Sequence, residues 1–534
     1  MKYYINNCFF VRVTNESIQK REMLEKMYKG EISINEFIEM NPQFLEALMN
    51  SNYLLYRLIK DNQVSESQKK TIARYFLRSI IRPTPYGLFA GITTGKFGEY
   101  TDFCRKSIAH KVSMVDSEWF YLMIEEIEET LISLEKIKLK YNNQCIISGE
   151  KIINPYLCIQ NNNTDQDKTQ KIIARYTEQV KRTIKLTGEW KDFKEIKEYL
   201  MEKNPEIEEK VILKFIKQLI KNEILISECR IAITEKDLLK ELIKVLEQYN
   251  DIDVVKKMLD SLKQIDLLHR RYDNADAIQS IKIYDELHNK MQKIQKSENS
   301  LNILLGIDTF TNSISKNIKK ELEDFLDILA MSVIDDNESK YLKHFKMKFT
   351  EKYGENREIN LLELMDEHMG LGNPYKYYEN IIENSYKRTE TLKDYIKDQI
   401  FWAVKEKKNK VYLSKSDIAA INDQYSEKTI EYSKSFEINA SILAKTAEDI
   451  DKGDYKIRIA PCCASEGAGR MINRFYNTIN DDGKNELKKI YEELEEKVEN
   501  AENERINKML SKHGCTVIAQ SDQHTDFLIK SGEN

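Results

Sequence analysis

Lys70, Arg74, Arg78 and Arg82 recur every four residues in KKTIARYFLRSIIRPTPYGLFAGI, residues 69–92. On an α-helix that spacing keeps the cations on one slowly drifting face. Tyr75, Phe76, Ile80 and Ile81 supply apolar surface elsewhere around the same helix. Pro83 and Pro85 bracket Thr84 and forbid helical continuation, while Gly87 permits a close turn before an apolar run. The arginines therefore end beside a fixed threonine. Planar guanidinium groups make paired, charge-assisted hydrogen bonds to oxyanions, which suits a phosphate or a carboxylate. A solvated basic face on an ordinary amphipathic helix has the same spacing, and spacing alone does not separate the two.

Two other places could carry chemistry. LNILLGIDTF reads as a buried strand ending at Asp308, where an acid can enter a cleft or cap a following helix. After the apolar run IRIAPCCAS, Gly467 and Gly469 could bring backbone amides to an anion ahead of Arg470 and Arg474, but the ending of a Walker A loop is missing. No Ser-His-Asp or Cys-His arrangement stands out. The 8 cysteines stand singly apart from Cys462-Cys463, with no CxxC, and the 7 histidines form no HExxH or similar cluster. This argues for reduced thiols and against a metal site.

The elements that must position these groups follow from periodicity. A strand over residues 3–13 leads into helices through about residue 82, LFAGITTGKFGEY reads as strands, and residues 117–135 are helical. Alternation between Lys138 and Gln160, with NN and SG turn signals, predicts a hairpin. TIKLTGEW then reads as a short strand and turn, DFKEIKEYLMEK as a helix, residues 206–221 as a second helix after Asn204-Pro205, and ILIS as a strand. That is the order of a winged helix-turn-helix. Glu206, Glu208 and Glu209 open its second helix and suit phosphates poorly, so residues 183–230 read as a peptide-docking module or as a subdomain that only packs. Residues 235–296 predict two antiparallel helices broken near Tyr249-Asn250-Asp251, TNSIS a turn before a helix to Val333, and residues 338–418 mostly helix with a sharp turn at 370–374. Residues 481–512 read as a charged helix, and no repeat is evident.

Net charge is −5, unpromising for a nucleic-acid binder taken whole, yet residues 1–112 carry 17 Lys and Arg against 11 Asp and Glu. A local positive surface could therefore lie in the first part of the chain. With 32% charged residues, 7 prolines and 17 glycines, the 534-residue chain reads as helix-rich and globular. No apolar run approaches bilayer length and the start lacks a secretory apolar block, which places the chain in the cytoplasm.

RPTPYGLFAGI resembles the signature of the lantibiotic dehydratase family, in its large amino-terminal region. VRV with Arg12, MVDSEWF with Asp116, LLGIDTF with Asp308, LLELMDEHMGLGNPY at 361–375 and SEGAGRMINRF with Arg474 resemble further family segments in the same order. The resemblance covers nearly the whole chain. It implies transfer of glutamate from glutamyl-tRNA to Ser and Thr hydroxyls of a precursor peptide, with glutamyl-tRNA as co-substrate and no bound cofactor. It implies catalytic positions at Arg78, Arg82, Thr84, Asp116, Asp308 and Arg474, and tRNA or anion contacts at Arg12, Lys70, Arg74, Lys151 and Arg470. It also implies leader-peptide recognition within 183–230, a homodimer, and peripheral association with the membrane through a maturation complex.

Three departures accompany it. Lys151 stands where the family has Arg, losing bidentate geometry; Asn473 replaces the Gly of the GRF triplet; and the chain stops soon after TVIAQSDQH, without the elimination domain. The expectation is a protein that glutamylates, or ligates an amino acid from tRNA, and relies on a separate elimination protein. The alternative is an inert peptide-binding subunit. The expected fold is α+β, helix-rich, with mixed sheets and the winged helix-turn-helix-like module. Its expected domains are 1–137, 138–232 and 233–534, the last completing the glutamylation cleft.

Overall fold

In the computed structural model the described residues are 4–106, 109–155, 172–232, 235, 237–297, 299–332, 340–355, 357–374, 387–422, 436–466, 469 and 471–496. The fold is α+β and helix-rich. Contacts divide it into a larger unit, residues 10–95, 104–311 and 471 onward, and a smaller one, Met1–Phe9, Lys96–Phe103 and Asn312–Arg470.

The basic helix spans Glu66–Ile81 and starts at a capping box, Ser65 and Gln68 each bonding the other's backbone N–H. It stops at Arg82, whose extended φ of −111° and ψ of 103° fit a residue before proline. Its inner face is fixed by Phe76, fully buried at ring-centroid distances of 4.8 Å from Phe37 and 4.9 Å from Phe44. Edge-to-face aromatic packing of this kind adds to area burial, and it leaves Lys70 and Arg74 facing outward.

The strands begin with β1 (Cys8–Thr14), β2 (Ala90–Gly98), β3 (Asp102–Arg105) and β4 (His110–Val115). The middle of the chain gives β5 (Lys138–Tyr141), β6 (Ile146–Ser148), β7 (Lys151–Asn154), β8 (Ile172–Arg175), β9 (Lys191–Asp192) and β10 (Leu225–Ser227). Later come β11 (Leu301–Gly306), β12 (Thr309–Ser315), β13 (Phe436–Leu443) and β14 (Lys456–Glu466).

In the larger unit β11 runs antiparallel to β4, Leu301 opposite Val115 and Gly306 opposite His110, and parallel to β2, with Gly306 opposite Ile92. In the smaller unit the end of β2 pairs in parallel with β12, from Ser313 opposite Lys96 to Ser315 opposite Gly98. Ser313 lies seven positions after Gly306, but Lys96 only four after Ile92 opposite them. The residues around Ile307-Asp308-Thr309 are thus surplus to the pairing, a bulge of the kind that re-aims side chains. β13 and β14 form an antiparallel pair of their own in the smaller unit.

Four local expectations are corrected. TNSIS is strand β12 rather than a turn, because Ser313 Oγ donates to Tyr100 O at 2.8 Å and Ser315 N–H to Thr101 Oγ1 at 3.1 Å, satisfying its polar groups in extended form. Thr183–Leu186 belong to the Glu178–Leu186 helix; the Thr183 and Thr187 hydroxyls donate to carbonyls four residues back, which accommodates these residues at the helix end. The hairpin is β6–β7 around Gly149, with φ of +57°, whereas β5 lies in another sheet between β10 and β9. Residues 238–294 make three helices, not two, since Asp276 caps a third one through the Gln279 N–H. Residues 497–512 of the expected charged helix lie outside the described residues.

Asp116 caps the Ser117–Ser133 helix, accepting from the Glu118 N–H at 2.9 Å and the Trp119 N–H at 3.4 Å. Its second oxygen accepts from Asn302 Nδ2 on β11 at 2.8 Å. Burial raises its pKa, opposed by the Asn302 bond and the two backbone bonds. Asp116→Ala removes the cap and the bond from Asn302, and should lower unfolding free energy by about 2 kcal/mol. Asp116→Asn keeps the cap and should lose about half of that or less. Urea midpoints check both; equal losses in the two variants would contradict the capping account.

Candidate active site

Asp308 leaves β11 on the bulge with its side chain 40% exposed. Its Oδ1 lies 3.1 Å from His110 Nδ1, and its backbone carbonyl accepts from the Lys106 N–H at 2.8 Å. The other ring nitrogen, His110 Nε2, lies 2.9 Å from Thr478 O. Both partners are acceptors, so a neutral ring satisfies one and an imidazolium satisfies both. The ring occupies space that any side chain at 306 would fill: a Cβ on Gly306 would sit 2.2 Å from His110 Cε1 and 2.7 Å from Thr478 O. A glycine within a strand marks such close approach.

Thr478 ends a 3₁₀ helix, Asn473–Thr478, that packs on this sheet. Phe475, Tyr476 and Ile479 are buried together with Ile92 of β2 and Leu304 of β11. Beyond it Asn480 Oδ1 accepts from Thr94 Oγ1 at 2.8 Å and from the Gly483 N–H at 2.9 Å. Arg474 projects from this anchored helix, its guanidinium 4.6 Å from the centre of the Phe475 ring. Surrounding protein pushes the Arg474 pKa down, and the neighbouring Arg12 pushes the same way. Arg12, on β1, reaches the same segment, with Nη2 3.8 Å from Met471 Sδ. Arg12 and Arg474 are thus neighbours, and Asp308 is linked through His110 to the carbonyl of Thr478, the last residue of the helix that carries Arg474.

The end of β1 is fastened to the basic helix and to the turn after it. Glu16 N–H donates to Ser79 O at 3.1 Å and Asn15 N–H to Phe89 O at 2.9 Å. Arg105 Nη1 donates to both the Thr14 and Asn15 carbonyls at 3.1 Å. Arg78 therefore lies on an element tied to the strand carrying Arg12. Its guanidinium carbon is 4.8 Å from the centre of the Tyr86 ring, and its Nε is buried without a hydrogen-bond partner among the described residues. Arg82 and Thr84 are exposed. Lys70 and Arg74 instead line a groove of about 500 Å³ against the Arg21–Lys29 helix, with Leu24, Ala73 and Leu77 among its apolar walls. The cation stripe is divided between two environments.

Asp116 is 1% exposed and works as a cap; it touches the group only through Asn302 on the strand that ends before Asp308. Lys151 is exposed at the start of β7, opposite Arg175 of β8 and away from the cluster's strands. Arg470 lies outside the described residues. Within 183–230, β9, the Phe193–Lys203 helix, the Glu209–Lys221 helix and β10 follow in order, with Glu206, Glu208 and Glu209 exposed. Glu128 accepts from Arg230 Nε at 2.8 Å and Nη2 at 2.9 Å, tying the end of this region to the Ser117–Ser133 helix. His110, Gly306 and Arg105 were not among the residues selected from sequence. A glycine two residues before Asp308 was the one available signal.

The family described as "Lantibiotic dehydratase, N terminus" matches residues 40–532. The chain belongs to this family. The epidermin biosynthesis protein EpiB of Staphylococcus epidermidis is 23% identical over 91% of this chain and 48% of its own length. The nisin biosynthesis protein NisB of Lactococcus lactis is 24% identical over 67% of this chain and 34% of its own. The chain spans about half or less of these relatives. The fold is that of MibB, the tRNA-dependent lantibiotic dehydratase of Microbispora sp. 107891, with a TM-score of 0.72 at 17% identity over 91% of this chain and 46% of that one. The TbtB glutamylation domain from thiomuracin biosynthesis gives a TM-score of 0.53 at 13% identity over 86% of this chain and 57% of that one.

Within this family fold, Gly306 is the position least able to accept a side chain at the site. Gly306→Ala should displace the His110 ring and destabilise the chain by about 1–3 kcal/mol through overpacking. Urea unfolding measures the loss, and imidazole NMR shows whether the His110 resonances alone move among the 7 histidines. Wild-type stability with unmoved His110 signals would contradict the close approach.

Proposed function

We propose that this chain transfers glutamate from glutamyl-tRNA to Ser and Thr hydroxyls of a ribosomally made precursor peptide, in lantibiotic-type biosynthesis. The observation that carries the reading is the gathering of Arg12, Arg474 and Asp308 around one anchored helix. Two neighbouring guanidiniums disfavour each other's charge, and a bound anion relieves that. The buried Nε of Arg78, without a hydrogen-bond partner among the described residues, points to the same need. Family membership and the likeness to MibB and the TbtB glutamylation domain support it.

An aminoacyl ester is already activated, so positioning and electrostatics can supply most of the acceleration. The peptide hydroxyl oxygen attacks the ester carbonyl and forms a tetrahedral oxyanion. Collapse breaks the bond to the ribose oxygen, which leaves with a proton, and a glutamyl ester remains on the peptide. Arg12, Arg78, Arg82 and Arg474 are the groups suited to tRNA phosphate, the glutamyl carboxylate or the oxyanion. Asp308, steadied by His110, is suited to the substrate ammonium or hydroxyl, and Thr84 offers a hydroxyl at the mouth of the basic helix. Lys70 and Arg74 extend the positive surface for tRNA. The precursor's leader is assigned to the 183–230 region, whose exposed acids suit a peptide better than a phosphate backbone.

The test is transfer of labelled glutamate from glutamyl-tRNA to precursor peptide. The unaltered chain should add about 129 Da per modified residue, the mass of a glutamyl group delivered by acyl transfer. Arg78→Ala, Arg82→Ala and Arg474→Ala should each reduce transfer by about 10²–10³-fold, with thermal midpoints of the Arg82 and Arg474 variants unchanged. Full activity in those variants would reduce the cations to a solvated face. No mass gain with a peptide that still binds would leave an inert peptide-binding subunit.

A further inference from the structure

Residues 400–413, IFWAVKEKKNKVYL, cover the end of the Lys387–Lys405 helix and the segment after it. Ile400, Phe401, Trp402, Val404, Tyr412 and Leu413 are all exposed, Tyr412 to 80%. Every residue from 404 to 416 is exposed as well. The base of this projecting turn is anchored, since Tyr395 Oη donates to Asp417 at 3.0 Å and Ile418 and Ile421 are buried. Single exposed apolar residues are ordinary; a run of them on one projecting turn marks an interaction surface.

The chemistry of the turn narrows what it meets. Lys405, Lys407, Lys408 and Lys410 face a single acid, Glu406, which pairs with Lys408 at 2.6 Å. Lys405 Nζ lies 4.6 Å from the centre of the Trp402 ring, and Phe401 packs edge-on to Trp402 at 5.8 Å. A protein interface core is depleted in lysine. Single-stranded RNA would use the aromatic faces and the lysines, but would leave Ile400, Val404 and Leu413 in water. An anionic bilayer uses all three: aromatic rings settle at headgroup level, aliphatic side chains enter the acyl boundary, and lysine stems extend to the phosphates. No described helix is long and apolar enough to cross a membrane, so this contact would be with the surface. We propose that the 400–413 turn docks this chain directly on an anionic lipid bilayer. The proposal is independent of the transfer reaction.

Flotation of the full chain with vesicles tests it. Vesicles of phosphatidylcholine and phosphatidylglycerol should carry at least about tenfold more protein than phosphatidylcholine alone, and less as salt is raised. Emission from Trp402, isolated by comparison with Trp402→Phe, should shift to the blue on binding. Phe401→Ser with Val404→Ser, and separately Lys405→Gln with Lys407→Gln and Lys410→Gln, should each lower flotation about tenfold at an unchanged thermal midpoint. Failure to float with the anionic vesicles, or flotation of both variants equal to that of the unaltered chain, overturns the proposal. So does a lipid-independent dimer that Phe401→Ser with Val404→Ser dissolves, which assigns the face to a second copy, or RNA binding lost in the same variants without vesicle binding.

Discussion

A side chain is missing where the sheet most needs space. At Gly306 the His110 ring and the Thr478 carbonyl both occupy volume that a Cβ would take, and His110 bonds Asp308 on one side and that carbonyl on the other. This approach lets the Asn473–Thr478 helix settle on β2 and β11, burying Phe475, Tyr476 and Ile479. It thereby decides where Arg474 stands. The bulge after Gly306 aims Asp308, and the apolar contacts below keep the helix from drifting. Arg12 meets the same segment from β1, an element itself held by Arg105 and by the backbone bonds of Asn15 and Glu16. Stability and geometry at the site are thus one problem, solved largely by packing.

Charge then explains what packing alone does not. A protein gains nothing by holding Arg12 near Arg474, or by burying an Arg78 Nε that has no hydrogen-bond partner among the described residues, unless something negative arrives. In contrast, the buried charges of Lys111 and Arg230 are matched: Lys111 meets Glu46 at 2.8 Å, and Arg230 meets both Glu128 and Glu223. Matched pairs hold elements together, whereas unmatched cations mark the face prepared for a ligand. Asp116 belongs to the first group, since its oxygens are engaged by the helix it caps and by Asn302.

How much of this could be read from sequence depended on whether a signal was local. The basic helix, its stop at Arg82 and the strand ending at Asp308 were legible, because periodicity, capping residues and prolines act within a few residues. Asp308 itself was readable as a cleft acid or a helix cap; the structure puts it in a bulge between two strands, which depends on pairing with β2. TNSIS looked like a turn because its residues are polar, yet neighbouring backbone satisfies them. TIKL looked like a strand because it is partly β-branched, yet Thr183 and the Thr187 that follows bond back along a helix. The division of the cation stripe, with Arg74 beside a groove and Arg78 under Tyr86, was invisible since four-residue spacing treats both alike. His110 carried no motif, and its role follows from Gly306 opposite it across the sheet. The order of segments shared with the family located Arg12 and Arg474, which no local pattern would have joined.

Arg12, Arg474 and Asp308 are proposed to form one anion-binding site for an aminoacylated RNA end. A crystal structure of this chain with a hydrolysis-resistant analogue of glutamyl-adenosine, the aminoacylated tRNA terminus, tests it most directly. The analogue should bind with its carboxylate against Arg12 and Arg474, within hydrogen-bond reach, and with Asp308 still held by His110. An analogue bound away from these residues, with both guanidiniums left as they are in its absence, would contradict it.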